Sequence, residues 1–259
     1  MSAVAKLERP AVSLSMAGMC RMKIWLASQE REQDPILPRT QRLFDAGHRT
    51  EQSLFEGFTD GDGQIRPSWW ATFEEISDPA TGEKLNPPEW QVGSRQEVVI
   101  VDDIAGHLDA IIKSPQDEFR LVDAKSARAF SFTKLAKADL ATDLFARQYV
   151  MQLQMYMEGK RLDGDRLGIR DALLFFINKD DLYAMFRAVR YDSAMVEEGR
   201  ERLSWSKSKA EPVPDWEWSR GQDIPTMCGY CSFRTACSEM RGMALELRIE
   251  KNAPKWRVK

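Results

Sequence analysis

Two periodicities divide the chain. Residues 21–28 and 40–55 carry apolar positions at helical spacing, and in the second of these Leu43, Gly47, Glu51 and Leu54 fall near one face. Between them, 34–39 holds two prolines and reads as a loop. Residues 57–63 read as a turn, and 69–88 as irregular, with Pro and Gly breaks at 78–82 and 86–88. The pattern then changes to short β-like runs at 97–101, 104–112 and 119–124, separated by Asp102-Asp103 and by 114–117. Helical spacing resumes at 133–138 and more strongly over 140–162. A hairpin follows, 172–178 and 182–191 about a turn at 179–181, then a helix at 193–207. A Pro- and Trp-rich connector at 211–218 leads into a cysteine cluster. Strands and helices in this alternation predict an α/β fold with a mixed central sheet flanked by helices. We expect one domain over 1–259, in which an N-terminal segment (1–39) and a C-terminal module (193–259) join beside a core at 40–192.

Composition narrows the class. At 259 residues, 43% hydrophobic and 30% charged, the chain can bury a full core. No apolar run approaches the roughly 20 residues of a membrane span, and 12–19 is too short and serine-bearing for a signal peptide, so a cytoplasmic protein is expected. A net charge of −3 does not exclude a nucleic-acid partner, which needs only a local basic track. Lys125, Arg128, Lys134 and Lys137 offer one such track, and 241–259 another. Asp60-Gly-Asp62-Gly63 hints at a calcium loop, but Ile65 and Ala71 stand where that loop needs Gly and Glu, so a hairpin turn is expected.

The chemistry concentrates in Gly106-His-Leu-Asp109 and Val122-Asp123-Ala124-Lys125, each in a strand-like run. Adjacent antiparallel strands would let Asp109 and Asp123 share a hard cation, Mg²⁺ or Mn²⁺, with the main-chain carbonyl of Ala124 completing part of the shell. A strand's period of two puts Asp123 and Lys125 on the same face, where the ammonium can orient or activate an attacking water. Asp-x-Lys alone is common on exposed strands. Here it lies in an apolar run (Phe119, Leu121, Val122), and burying two acids together is costly without a compensating cation. Gln148, Gln152 and Tyr156 recur every four residues along the long helix and could present an amide and a phenol to a phosphate or base.

Gly-x-x-Asp, Asp-x-Lys and Gln-x-x-x-Tyr, in this order, resemble the RecB-type branch of the PD-(D/E)XK nucleases. The resemblance implies a restriction-endonuclease-like core, Asp109 and Asp123 as metal ligands, Lys125 as the catalytic lysine, and Gln152 and Tyr156 as the helical motif. That branch carries Gly-x-x-x-His on an earlier helix. Here Gly47 is followed by Glu51, which can also ligate a hard cation; His48 is the alternative.

In a reducing compartment four cysteines point to metal ligation or burial rather than disulfides. Cys228-x2-Cys231-x5-Cys237, with Cys20 far upstream, could bind a [4Fe–4S] cluster or zinc. The arrangement is similar to the iron–sulfur nucleases, the AddB-type helicase–nucleases and the CRISPR-associated Cas-four exonucleases with their phage relatives. It implies a [4Fe–4S] cluster of structural role. It also implies a DNA exonuclease acting on ends, often single-stranded and 5′→3′, in recombination, repair or CRISPR adaptation. With no Gly-x4-Gly-Lys-Ser/Thr helicase motif, a stand-alone nuclease or a subunit of such a complex is expected, with self-association left open. The rival from another class is a DNA-end-binding subunit whose chemistry is dispensable.

Overall fold

The computed structural model describes residues 11–36, 38–55, 58–59, 65–66, 72–250 and 253–259. The turn expected at 57–63 lies outside them except for Phe58–Thr59, which pairs antiparallel with Ile65–Arg66. Two compact units emerge, one from Ser13–Gly18 and Pro38–Gly199, the other from described residues of Met1–Val12, Met19–Leu37 and Arg200–Lys259.

The larger unit is built on a five-stranded mixed sheet. Its order is Ala184–Arg190, Asp171–Asn178, Phe119–Ala127, Ala110–Lys113 and Gln91–Arg95. All neighbours are antiparallel except Phe119–Ala127 and Asp171–Asn178, which run parallel. A parallel pair needs a crossover, and the helices Ala129–Lys137 and Leu144–Glu158 supply it. One face of the sheet is apolar: Ala110, Ile112, Val122, Ala124, Leu173, Phe175, Ile177 and Phe186 form a core with Leu54 and Phe55 from the end of helix Pro38–Phe55. Because side chains alternate, the opposite face carries Asp123 and Lys125, in register with Leu174 and Phe176. Helix Leu144–Glu158 covers that face, with Tyr149 edge-on to Phe176.

Several expectations need correction. The apolar run 104–112 is two strands, Ile104–His107 and Ala110–Lys113, in different sheets. The first pairs with Val98–Val101 across a tight turn in which Asp102 and Asp103 both take positive φ (49° and 68°), the conformation that suits the twist of a two-residue hairpin. The edge strand Gln91–Arg95 was not anticipated; with one aliphatic side chain, Val92, it lacks the alternation that marks a strand. The long helix is Leu144–Glu158 rather than 140–162. It starts where the Asp143 carboxylate accepts the main-chain N–H groups of Phe145 and Ala146. The basic tail at 241–259 contains an antiparallel hairpin, Leu245–Glu250 with Ala253–Val258.

The smaller unit joins early and late chain. Asp215 pairs with Arg21 (2.8 Å) and Arg202 (2.7 Å), and Asp34 pairs with Arg234 (3.0 Å). Helices Arg21–Ser28, Thr226–Gly229 and Arg234–Met240 carry three of its four cysteines or start beside them.

Candidate active site

The break between Ile104–His107 and Ala110–Lys113 positions the first acid. Asp109 lies one residue before the sheet strand, and continuing the Ala110–Val122 register places it opposite Asp123. Its Oδ2 accepts the Ala124 N–H at 2.8 Å. Gly106, the glycine of Gly-x-x-Asp, sits where a Cβ would fall 2.6 Å from the Tyr156 ring and 2.8 Å from Leu14, so only glycine admits that tyrosine.

Asp123 is the buried centre. Oδ1 accepts from Lys125 Nζ (2.8 Å) and Gln152 Nε2 (3.0 Å). The ammonium is also 2.8 Å from Oδ2, which is buried and has no well-directed hydrogen bond. Gln152 Nε2 also contacts Tyr156 Oη (3.0 Å), which donates to the His107 carbonyl (2.9 Å). Lys125 Nζ lies over the Tyr149 ring, 5.5 Å from its centroid, and 3.4 Å from the Ala124 carbonyl. Glu51 arrives from helix Pro38–Phe55, its Oε1 accepting the Ser126 N–H (2.8 Å) and hydroxyl (2.9 Å).

The electrostatics follow from this crowding. Burial pushes Asp123 up to about 7; Lys125 opposes the shift, while the charges of Asp109 and Glu51 add to it. Burial draws Lys125 down, but Asp123, Asp109 and Glu51 more than offset it and hold the lysine above its ordinary value. It therefore stays an ammonium at neutral pH. Burial, with the nearby Asp123 charge, raises Tyr156 as well, so its phenol stays protonated.

Glu51, Asp109, Asp123 and Lys125 thus come together, with the Ala124 carbonyl alongside. Among the described residues, no three Asp, Glu, His or Cys side chains close around a single ion-sized point. The donor set is nonetheless all oxygen, and the bare, buried Asp123 Oδ2 faces only the lysine. Those features fit a hard divalent cation. His48 is exposed. Gln152 and Tyr156 are buried, and the hydrogen bonds described for them run to Asp123 and His107 rather than outward. Gln148, one turn before Gln152, is half-buried, and Arg128 is exposed at the start of helix Ala129–Lys137. Lys125 cannot belong to a basic track, because it is spent on Asp123. In the tail, Arg257 and Lys255 pair with Asp223. Sequence reasoning missed Ser126, which anchors Glu51, and Tyr149, which faces the ammonium. Tyr149 was detectable one turn before Gln152.

The cysteines Cys20, Cys228, Cys231 and Cys237 are unbridged thiols within the smaller unit, close enough that Cys20, Cys231 and Cys237 all act on Cys228. Burial pushes Cys228 up to about 11 and raises Cys231 and Cys237. Hydrogen bonding from Trp218 lowers Cys228 and from Arg241 lowers Cys237, with the thiol sulfurs as the acceptors these buried groups meet, while Arg234 Nε is buried without a well-directed hydrogen bond.

The chain belongs to the PD-(D/E)XK nuclease superfamily, whose family model matches residues 27–238. No curated protein matches it in sequence. Similar solved structures include that titled SSO0001, at 14% identity over 89% of this chain and 87% of that one, with a TM-score of 0.42. Another is an alkaline exonuclease (LHK-Exo) from Laribacter hongkongensis, at 13% identity over 77% and 87%, with a TM-score of 0.45.

Proposed function

We propose that this protein is a Mg²⁺- or Mn²⁺-dependent deoxyribonuclease that hydrolyses phosphodiester bonds at DNA ends. The observation that carries the reading is the Lys125 ammonium held 2.8 Å from the buried Asp123 carboxylate, with Asp109 and Glu51 acting electrostatically on both. Asp109, Asp123, Glu51 and the Ala124 carbonyl would hold the cation. Bound there, it would supply positive charge to the phosphate in the transition state. Lys125, kept protonated, is a hydrogen-bond donor that orients the attacking water and steadies developing negative charge; it is not a base. Gln152 and Tyr156 brace Asp123 from behind. The resemblance to iron–sulfur exonucleases supports end-directed cleavage, single-stranded and 5′→3′, and a role in recombination, repair or adaptation.

We extend the proposal to a [4Fe–4S] cluster on Cys20, Cys228, Cys231 and Cys237. The buried N–H donors of Trp218 and Arg241, directed at the thiols of Cys228 and Cys237, suit the sulfur acceptors of a bound cluster. Such a cluster supplies a four-point cross-link between early and late chain. Iron and acid-labile sulfide in the purified protein would support this, whereas a colourless protein with one zinc would overturn it.

The test of the enzyme is cleavage of end-labelled DNA with 5′ or 3′ overhangs, in Mn²⁺ and in EDTA. Lys125→Ala should lose about 10²–10³-fold in rate. DNA binding with no cleavage by the wild type under any metal would instead favour the end-binding subunit.

A further inference from the structure

Lys179 is a second lysine beside the acids. It directly follows strand Asp171–Asn178, and its N–H donates to the Ala127 carbonyl at 2.8 Å, at the end of the parallel ladder where Asn178 pairs with Ala127. Its side chain turns back over helix Pro38–Phe55 at Gly47. A Cβ on that glycine would lie 2.8 Å from Lys179 Nζ and 2.8 Å from Ser126 Oγ. Ammonium and hydroxyl therefore flank one methyl-sized space, and the hydroxyl donates to Glu51 Oε1. The glycine of Gly-x-x-x-Glu thus has a physical reason: any side chain would displace the lysine.

The ammonium is poorly satisfied. Among the described residues its hydrogen bond is to the Leu43 carbonyl at 3.3 Å, and it has no carboxylate partner. The neighbouring acids are used elsewhere, Asp180 accepting from Ala129 N and Asp181 from Tyr183 N. A half-buried lysine with three donors and one long bond to a neutral carbonyl has room for an anion, and on a nuclease the available anion is a backbone phosphate.

We propose that Lys179 grips a DNA backbone phosphate next to the one being cleaved, and that Gly47 exists to make room for it. The inference rests on the nuclease reading. It makes Lys179 a substrate-positioning residue, distinct from Lys125, which is tied to Asp123.

The experiment is a salt titration of binding by the full chain to a fluorescent single-stranded oligonucleotide, in Ca²⁺, with wild type, Lys179→Gln, Lys179→Arg and Gly47→Ala. Lys179→Gln should weaken binding roughly tenfold. It should also lower the slope of log K against log salt by about 0.7, the signature of one lost phosphate contact. Gly47→Ala should reproduce that change and Lys179→Arg should keep the wild-type slope. A thermal melt on each variant separates contact loss from misfolding. A folded Lys179→Gln with an unaltered slope, in a background where wild type cleaves with Mn²⁺, overturns the inference alone. A wild type that neither binds nor cleaves DNA overturns the nuclease reading with it.

Discussion

The acid pocket and the cysteine module handle buried polarity in opposite ways. Around Asp123 a continuous relay runs from Lys125 through the carboxylate and Gln152 to Tyr156 and the His107 carbonyl. Around the cysteines, the buried N–H groups of Trp218 and Arg241 face only the weakly accepting thiols of Cys228 and Cys237, and Arg234 Nε has no well-directed hydrogen bond. The relay leaves one atom of the pocket unanswered, Asp123 Oδ2, whereas in the module the poorly matched groups are N–H donors, each costing about 1–3 kcal/mol if left without an acceptor. On the proposed function, the pocket's open atom is an oxygen suited to a cation, and the module's open groups are donors suited to the sulfurs of a cluster.

The contrast breaks most visibly at Cys228. On the proposed cluster, Cys228→Ser should strip iron and cost the smaller unit about 3 kcal/mol or more, because binding such a group is coupled to folding. Limited proteolysis should open Arg200–Lys259 first; equal protection in wild type and variant would mean that the cysteines hold nothing. A smaller effect comes from pH. Asp123 ionises near its ordinary value in the unfolded chain but only about 7 in the fold. Between about pH 4 and 7 the folded state keeps a proton that the unfolded state has lost, so stability of metal-free protein should fall as pH rises through that window and then level off. Asp123→Asn should flatten this part of the profile, by about 1 kcal/mol or more, or roughly 2–4 °C in Tm. A slope unchanged by the substitution would place the liability elsewhere. Smallest is Trp218→Phe, which keeps the ring and removes the N–H. It should be neutral or slightly stabilising without iron and lose about 1 kcal/mol with it; the same shift in both states would reduce Trp218 to packing.

What could be read in the chain follows the same division. Asp123 and Lys125 stood out because apolar neighbours made an exposed strand implausible. The α/β class followed from strands alternating with helices. Asp109 opposite Asp123 across antiparallel strands was expected; the change of sheet near Leu108 was not, since 104–112 carries no Pro or turn signal to divide it into two strands. The inward turn of Gln152 and Tyr156 was hidden for a related reason: 150–157 is buried on every side, so spacing shows which residues share a face but not which way it looks. Lys179 had no pattern around it, because what makes it notable is a glycine on a distant helix.

The parallel pairing of Phe119–Ala127 with Asp171–Asn178 has a kinetic consequence. Lys125 and Ser126 depend on a partner strand that the ribosome delivers only after both crossover helices, so these contacts are of high contact order and close late. The acid pocket is thus among the last parts of the core to be completed.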